Sequence, residues 1–329
     1  MHENAILRFL YGALVAASGC AGGTPSALPA RAPMVVWAFT APWDPRSDSS
    51  LRANVAPLNT AVTGWIQLDS ATAAPIAAYR DDAAVPGTTR RFALVTSWHG
   101  QRFHPESVRR LGNDSALLAQ TASSLAALLR QGAYAGMVLD LEGSAVSDVP
   151  LVARVVRALG DSARAHGVAT IAMAVPAADT TAYPARAFLR AADLIVAMLY
   201  DEHWATSAPG PVASPEWVRR ALGARVAEVG AAHVVAALPV YGYQWRANQP
   251  AQPVSFEETR SAASQAGVEL VRDPASLSLH AIAPGEWELW TSDAVQLRAL
   301  ADVVRATGVS AVALWRLGLE DPGVWRALR

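Results

Sequence analysis

Eight short apolar runs recur along the chain, and segments with helical spacing separate most of them. The runs are "MVVWAFTA" (34–41), "VTGWIQLD" (62–69), "RFALVTSW" (91–98), "GMVLDLE" (136–142), "ATIAMAVPA" (169–177), "LIVAMLYD" (194–201), "HVVAALPVYGY" (233–243) and "VSAVALWRLG" (309–318). Near-continuous apolar runs of this length fit parallel strands buried on both faces. The helical segments include 50–61, 115–132, 149–167, 185–192, 214–230 and 293–308. Ser214 and Pro215 read as the N-cap and first residue of one helix, and Gly167 closes another. Eight strands alternating with helices predict an α/β fold of the (β/α)8, or TIM-barrel, kind. A doubly wound open sheet is the alternative, but no Gly-rich phosphate loop follows the first run. Segment 248–290 is longer than a plain strand-to-helix loop. It predicts a small strand insertion between the seventh strand and the last helix, on the cleft side.

The composition suits a large buried core: 52% of the 329 residues are hydrophobic and 17% are charged. The net charge of -1 gives no bulk attraction to nucleic acid, and none is expected as a partner. Every basic residue is Arg, which with the abundant Ala reads as a genome-wide bias and carries no functional message. Eleven Trp supply large stacking surfaces of the sort sugar-binding clefts use.

The one cysteine, Cys20, closes "AILRFLYGALVAASGC", an apolar stretch too short to span a membrane comfortably. The stretch fits an export signal over residues 1–19, and "AASGC" resembles a bacterial lipobox, which would make Cys20 a lipidation site. Ala17 and Glu3 depart from that pattern, and an ordinary cleaved signal is the alternative. Residues 20–33 read as a flexible Gly/Pro/Ala tether and 34–329 as one folded domain. The expectation is an exported protein of the cell envelope that meets a membrane only through a lipid anchor. No second cysteine exists to form a disulfide within the chain.

In a barrel the active face lies at the C-terminal strand ends. Asp140 and Glu142 close the fourth run, two residues apart and so on one side of a strand. An unpaired charge inside a buried strand is very costly, so both acids belong at its open end. Tyr200 and Asp201 close the sixth run, Tyr241 and Tyr243 the seventh, Trp315 and Arg316 the eighth. Trp43 and Asp44 follow the first, and Trp98 and His99 close the third. So many chemically capable residues on one rim point to a sugar-sized cleft. His99, His104 and His203 lack tight metal-ligand spacing, so no metal and no cofactor are expected. Met173 and Met198 read as core.

These blocks resemble family-18 glycoside hydrolases. "AGMVLDLEG" resembles their strand-four signature, Asp-Gly-x-Asp-x-Asp-x-Glu; "AMLYDEHW" (197–204) and "ALWRLGLEDPGVW" (313–325) resemble their strand-six and strand-eight blocks. With "WAFTAPWDPRSDSSLRANVAPLN", the likeness is greatest to the branch of spore-cortex glycosidases and of fusions with deacetylase or glycosyltransferase modules, over about residues 34 to 325. The resemblance implies hydrolysis of β-linked N-acetylhexosamine polymers, chitin-like or related to peptidoglycan, by a substrate-assisted retaining mechanism. It implies Glu142 as general acid/base, Asp140 as its partner and Tyr200 as the residue aiming the acetamido group. Asp201, Trp315, Tyr241 and Trp43 follow as substrate-binding residues, in a monomer acting on an N-acetylglucosamine-containing glycan. Ala135 and Val138 replace two signature acids, Leu141 replaces an aromatic residue, and Thr40 stands where that branch has Tyr. Loss of the acid at Val138 implies a weakened relay and reduced or altered activity. A chitinase-like lectin and a metal-dependent barrel hydrolase are the competing readings.

Overall fold

The computed structural model describes residues 33–81 and 83–328. The leader, Cys20 and almost all of the expected tether therefore lie outside the described residues. The barrel strands are β1 (Val35–Phe39), β2 (Thr60–Leu68), β3 (Arg90–Thr96), β4 (Gly136–Asp140), β5 (Thr170–Pro176), β6 (Leu194–Met198), β7 (Val234–Pro239) and β8 (Ala311–Trp315). Each runs parallel to its neighbours, and β1 pairs with both β8 and β2, which closes the barrel. The eight-stranded barrel is thus as expected. A short antiparallel strand, Pro75–Ala77, is added beside β2.

Strand alternation sorts the apolar residues into two cores. Phe92 and Leu94 of β3, Val138 of β4, Ala172 and Ala174 of β5, and Val196 and Met198 of β6 fill the barrel interior. Val95, Leu139, Met173 and Ile195 point outward and pack beneath the helices. Met173 and Met198 are both core residues, as read. At the bottom of β4, a Cβ on Gly136 would lie 2.4 Å from the Phe92 ring. A side chain there is excluded so that Phe92 can fill the barrel floor.

The helices depart from expectation in several places, two of them ahead of β4. The segment after β1 is helical over α1 (Pro45–Asn54), earlier than the expected 50–61. The Asp44 carboxylate accepts from the Arg46 amide and caps a helix whose first residue is Pro45, so the start is fixed there. Asn59 cannot remain helical, because its side-chain oxygen accepts from the Val36 amide at 2.8 Å and ties the returning chain to β1. The second departure is α2 (Pro105–Asn113), an unexpected helix ahead of the long expected one, α3 (Ser115–Gln131).

The insertion begins at Gly242 and is larger than expected. Five antiparallel strands, from Gly242–Arg246 to Trp287–Thr291, form one sheet, and α4 (Phe256–Ala266) packs on it through Ala263. The seventh strand of the barrel therefore stops at Pro239, and Tyr243 belongs to the insertion sheet. Strands four and six also stop short, at Asp140 and Met198, leaving Glu142, Tyr200 and Asp201 in the loops above. Among the described residues no helix is long and apolar enough to cross a membrane.

Gly136→Ala is expected to destabilise the fold by about 1–3 kcal/mol through overpacking against Phe92, read as a lower urea midpoint.

Candidate active site

The inward series of β4 is Gly136, Val138, Asp140, and Glu142 extends it past the last ladder bond. Alternation therefore carries the two acids to the barrel mouth. They face a cavity of about 300 Å³ whose other walls include Phe39, Trp65, Leu94, Val196, Met198 and Trp315. Two roomier surface grooves, of 750 and 680 Å³, gather no comparable set of buried acids. Tyr200 and Asp201 reach the cavity from the loop after β6. Asp201 has φ of 61°, a left-handed conformation that turns the chain sharply after Tyr200.

Three carboxyl groups thus share one largely apolar enclosure, and all three are shifted upward. Burial raises Glu142 well above the ordinary glutamate value, and the Asp140 and Asp201 charges push the same way. Burial raises Asp140, against the opposing hydrogen bonds of Thr96 and Glu142. Burial also raises Asp201, against the Tyr241 and Tyr243 hydroxyls. Asp140 Oδ2 accepts from the Thr96 hydroxyl at 3.0 Å, while the buried Oδ1 has no hydrogen-bond partner among the described residues.

Trp315 lies nearly parallel to Tyr200 with centroids 6.0 Å apart, and Phe39 meets Trp315 edge-on at 5.4 Å. Trp43 stands at the lip, 47% exposed, with its ring edge-on to Trp65 at 4.6 Å. The Arg316 guanidinium lies 5.5 Å from the Trp43 centroid and pairs with Asp44 at 3.1 Å. Hydrogen bonding from Arg46 is the main reason Asp44 is held down at about 2, so this lip anchor stays charged. Trp98 lines another part of the cavity, on a small hairpin where Phe103 meets it edge-on at 5.0 Å.

Of the expected site residues, Glu142, Asp140, Tyr200, Asp201, Trp315 and Trp43 converge on this cavity. Tyr241 does not form the cleft wall. It is 5% exposed and sits behind Asp201, to which its hydroxyl donates at 2.5 Å. The chain turns after Pro239 and directs that ring toward Tyr200, which it meets edge-on at 6.4 Å. Tyr243 donates to the same Asp201 oxygen at 3.3 Å. Sequence reasoning missed Thr96 and Tyr183. The Tyr183 hydroxyl accepts from the Ser144 amide at 2.8 Å and steadies the turn that carries Glu142. Fully buried Arg225 holds the Tyr183 loop through the carbonyls of Pro176, Ala177, Asp179 and Tyr183. The parity of Thr96 after Phe92 and Leu94 was a usable signal; Tyr183 had none. Among the described residues no group of three His, Cys, Asp or Glu side chains is placed to hold a metal ion.

Comparison with known proteins finds similar chains and similar folds. No protein-family model matches it. YdhD of Bacillus subtilis, which is named as a sporulation-specific glycosylase, is 26% identical over 307 residues, 86% of this chain and 71% of that one. A chitinase from Chromobacterium violaceum superposes with a TM-score of 0.77 at 22% identity, over 90% of this chain and 98% of that chain. The spore cortex-lytic enzyme SleL of Bacillus cereus gives a TM-score of 0.78 at 17% identity, over 90% of this chain and 73% of that chain. The two superpositions establish the shared TIM-barrel fold.

Because burial and the neighbouring acids raise Glu142 in the folded state, its contribution to stability is full below the unfolded glutamate pKa and is lost as pH rises through the raised value. Glu142→Gln, a permanent mimic of the neutral form, is therefore expected to raise the melting temperature. The gain should be near zero at about pH 4 and grow toward alkaline pH in parallel melting curves.

Proposed function

We propose that the chain is a glycoside hydrolase of the family-18 type, acting with retention on β-linked N-acetylhexosamine polymers. The observation that carries this reading is the meeting of Glu142, which burial and the Asp140 and Asp201 charges push toward the neutral acid, with Asp140 on the wall of one aromatic-lined cavity. The glycosylase name of YdhD and the chitinase and cortex-lytic names of the structural neighbours support the same class.

The substrate supplies its own nucleophile: the acetamido carbonyl oxygen attacks the anomeric carbon as Glu142 protonates the departing glycosidic oxygen. The resulting oxazolinium carries positive charge, which ionised Asp140 stabilises while its carboxylate accepts the acetamido N–H. The Tyr200 hydroxyl donates to the acetamido oxygen and aims it. Met198, Val196 and Ala174, the apolar lining, accommodate the methyl group. Trp315 forms the floor under the sugar, and Asp201, fixed by two tyrosine hydroxyls, supports the pocket edge. Glu142, now ionised, takes a proton from water, which opens the oxazolinium with net retention. Burial and two neighbouring negative charges suit Glu142 to the first step, because an acid with an ordinary pKa would already be ionised at neutral pH.

The test is turnover of fluorogenic di- and tri-N-acetylglucosamine, with polymer binding measured alongside. Wild type is expected to turn over, and Glu142→Gln to lose about 10²–10⁴-fold in kcat while still binding polymer. The alkaline limb of the wild-type profile should lie above the ordinary glutamate range. Binding without turnover in either form would replace the enzyme by a lectin. A lipid anchor at Cys20 is the companion proposal: labelled fatty acid should be incorporated on expression in a bacterial host and lost in Cys20→Ala.

A further inference from the structure

Asp140 depends on an unusually small set of contacts. Below it in the inward series is Val138, fully buried among barrel-core residues that include Phe92 and Leu94. That floor offers no hydrogen bond. Apart from the neighbouring Glu142 carboxyl, Thr96 is the one hydrogen-bond donor to the Asp140 side chain among the described residues. The pair follows from barrel register: Thr96 and Asp140 are direct partners at the ends of β3 and β4, and the Ser97 amide closes on the Asp140 carbonyl at 3.0 Å.

The Thr96 hydroxyl bonds on two sides. Its oxygen accepts from the Trp98 amide at 3.0 Å, which leaves the single hydroxyl proton for Asp140 Oδ2. We propose that Thr96 is the positioning residue for Asp140: its hydroxyl, oriented by the Trp98 amide, holds one carboxylate oxygen and so fixes the orientation of the carboxylate at the cavity wall. This rests on the glycosidase reading for its catalytic meaning, though not for the contact itself. A carboxylate anchored at Oδ2 keeps one orientation, which a carboxyl free to rotate would lose. Burial pushes Asp140 toward the neutral acid, and the Thr96 hydroxyl opposes it. Glu142 on the same loop, Tyr183 after β5, and Tyr200 and Asp201 after β6 are the other titratable groups around it. Of these, none is a cation. The Trp98 amide that orients Thr96 belongs to a residue whose indole lines the cavity, so sugar platform and carboxylate share one support.

The test compares Thr96→Val, which keeps shape and removes the hydroxyl, with Thr96→Ser, which restores it. The first readout is stability against pH in the full chain, with and without Asp140→Asn. The Thr96→Val deficit is expected to grow from about pH 4 to about pH 8, since only ionised Asp140 needs the donor, and that growth should vanish in the Asp140→Asn background. The second readout is kinetics on the fluorogenic trimer. Thr96→Val should lose about tenfold or more in kcat with KM changed less than about threefold, and the acid limb should move to higher pH. Thr96→Ser should recover both. A deficit that is flat with pH, or whose growth with pH persists in the double variant Thr96→Val/Asp140→Asn, would reduce Thr96 to packing and overturn the proposal. So would Thr96→Ser as impaired as Thr96→Val. If pH-dependent coupling stands but wild type turns over no N-acetylglucosamine oligomer, the functional reading falls and the Thr96–Asp140 link survives.

Discussion

The mouth of this barrel must hold three carboxyl groups where water is scarce and where, among the described residues, no guanidinium pairs with them. Leaving such charges unpaired in an apolar enclosure is the most expensive electrostatic arrangement a fold can maintain. The molecule meets the cost by sharing protons and by surrounding the acids with hydroxyls. Asp140 receives Thr96, and Asp201 receives Tyr241 and Tyr243. The arginines are kept at a distance: Arg316 and Arg46 are tied to Asp44, and Arg225 is buried against loop carbonyls and Glu228. A guanidinium beside Glu142 would favour its ionised form and remove the acid that the proposed chemistry needs.

That arrangement depends on a rigid frame, because a carboxyl with few partners has little of its own to fix it. The frame is the register of parallel strands. Asp140 is placed by its pairing with Thr96 across β3 and β4, and Glu142 by the turn that the Tyr183 hydroxyl grips at Ser144. The insertion contributes from the other side, sending Tyr243 from its first strand to Asp201. Chain segments that are far apart in sequence therefore converge on groups whose protonation they control.

Much of this was legible in the sequence, and the reason is periodicity. Eight apolar runs announced the barrel, and period-two parity placed Asp140 and Glu142 together. The unread parts depend on geometry that parity does not carry. Asp44 and Pro45 marked the start of α1, yet apolar spacing over 50–61 was the stronger visible pattern, and only the Asn59 tie to Val36 shows why the helix must end early. Tyr241 looked like a cleft residue because it sits just past a strand end. The chain leaves the strand direction at Pro239, so alternation no longer says where that ring points. Thr96 was hidden for a different reason: its importance lies in its partner across the sheet, and register between strands is not written in either strand alone.

Val138 joins these observations. The resemblance made it a loss, an acid missing from the motif. Within the barrel it completes an apolar interior that includes Phe92, Leu94 and Ala172, and an acid there would be one more buried charge beneath two others. With the floor made apolar, hydrogen-bonded support for Asp140 comes from the side, through Thr96 and the Trp98 amide. An acid below could exchange protons with Asp140, whereas a threonine hydroxyl does not ionise in this range and serves as a hydrogen-bonding support. The consequence is a carboxylate whose orientation is set by a fixed hydrogen bond.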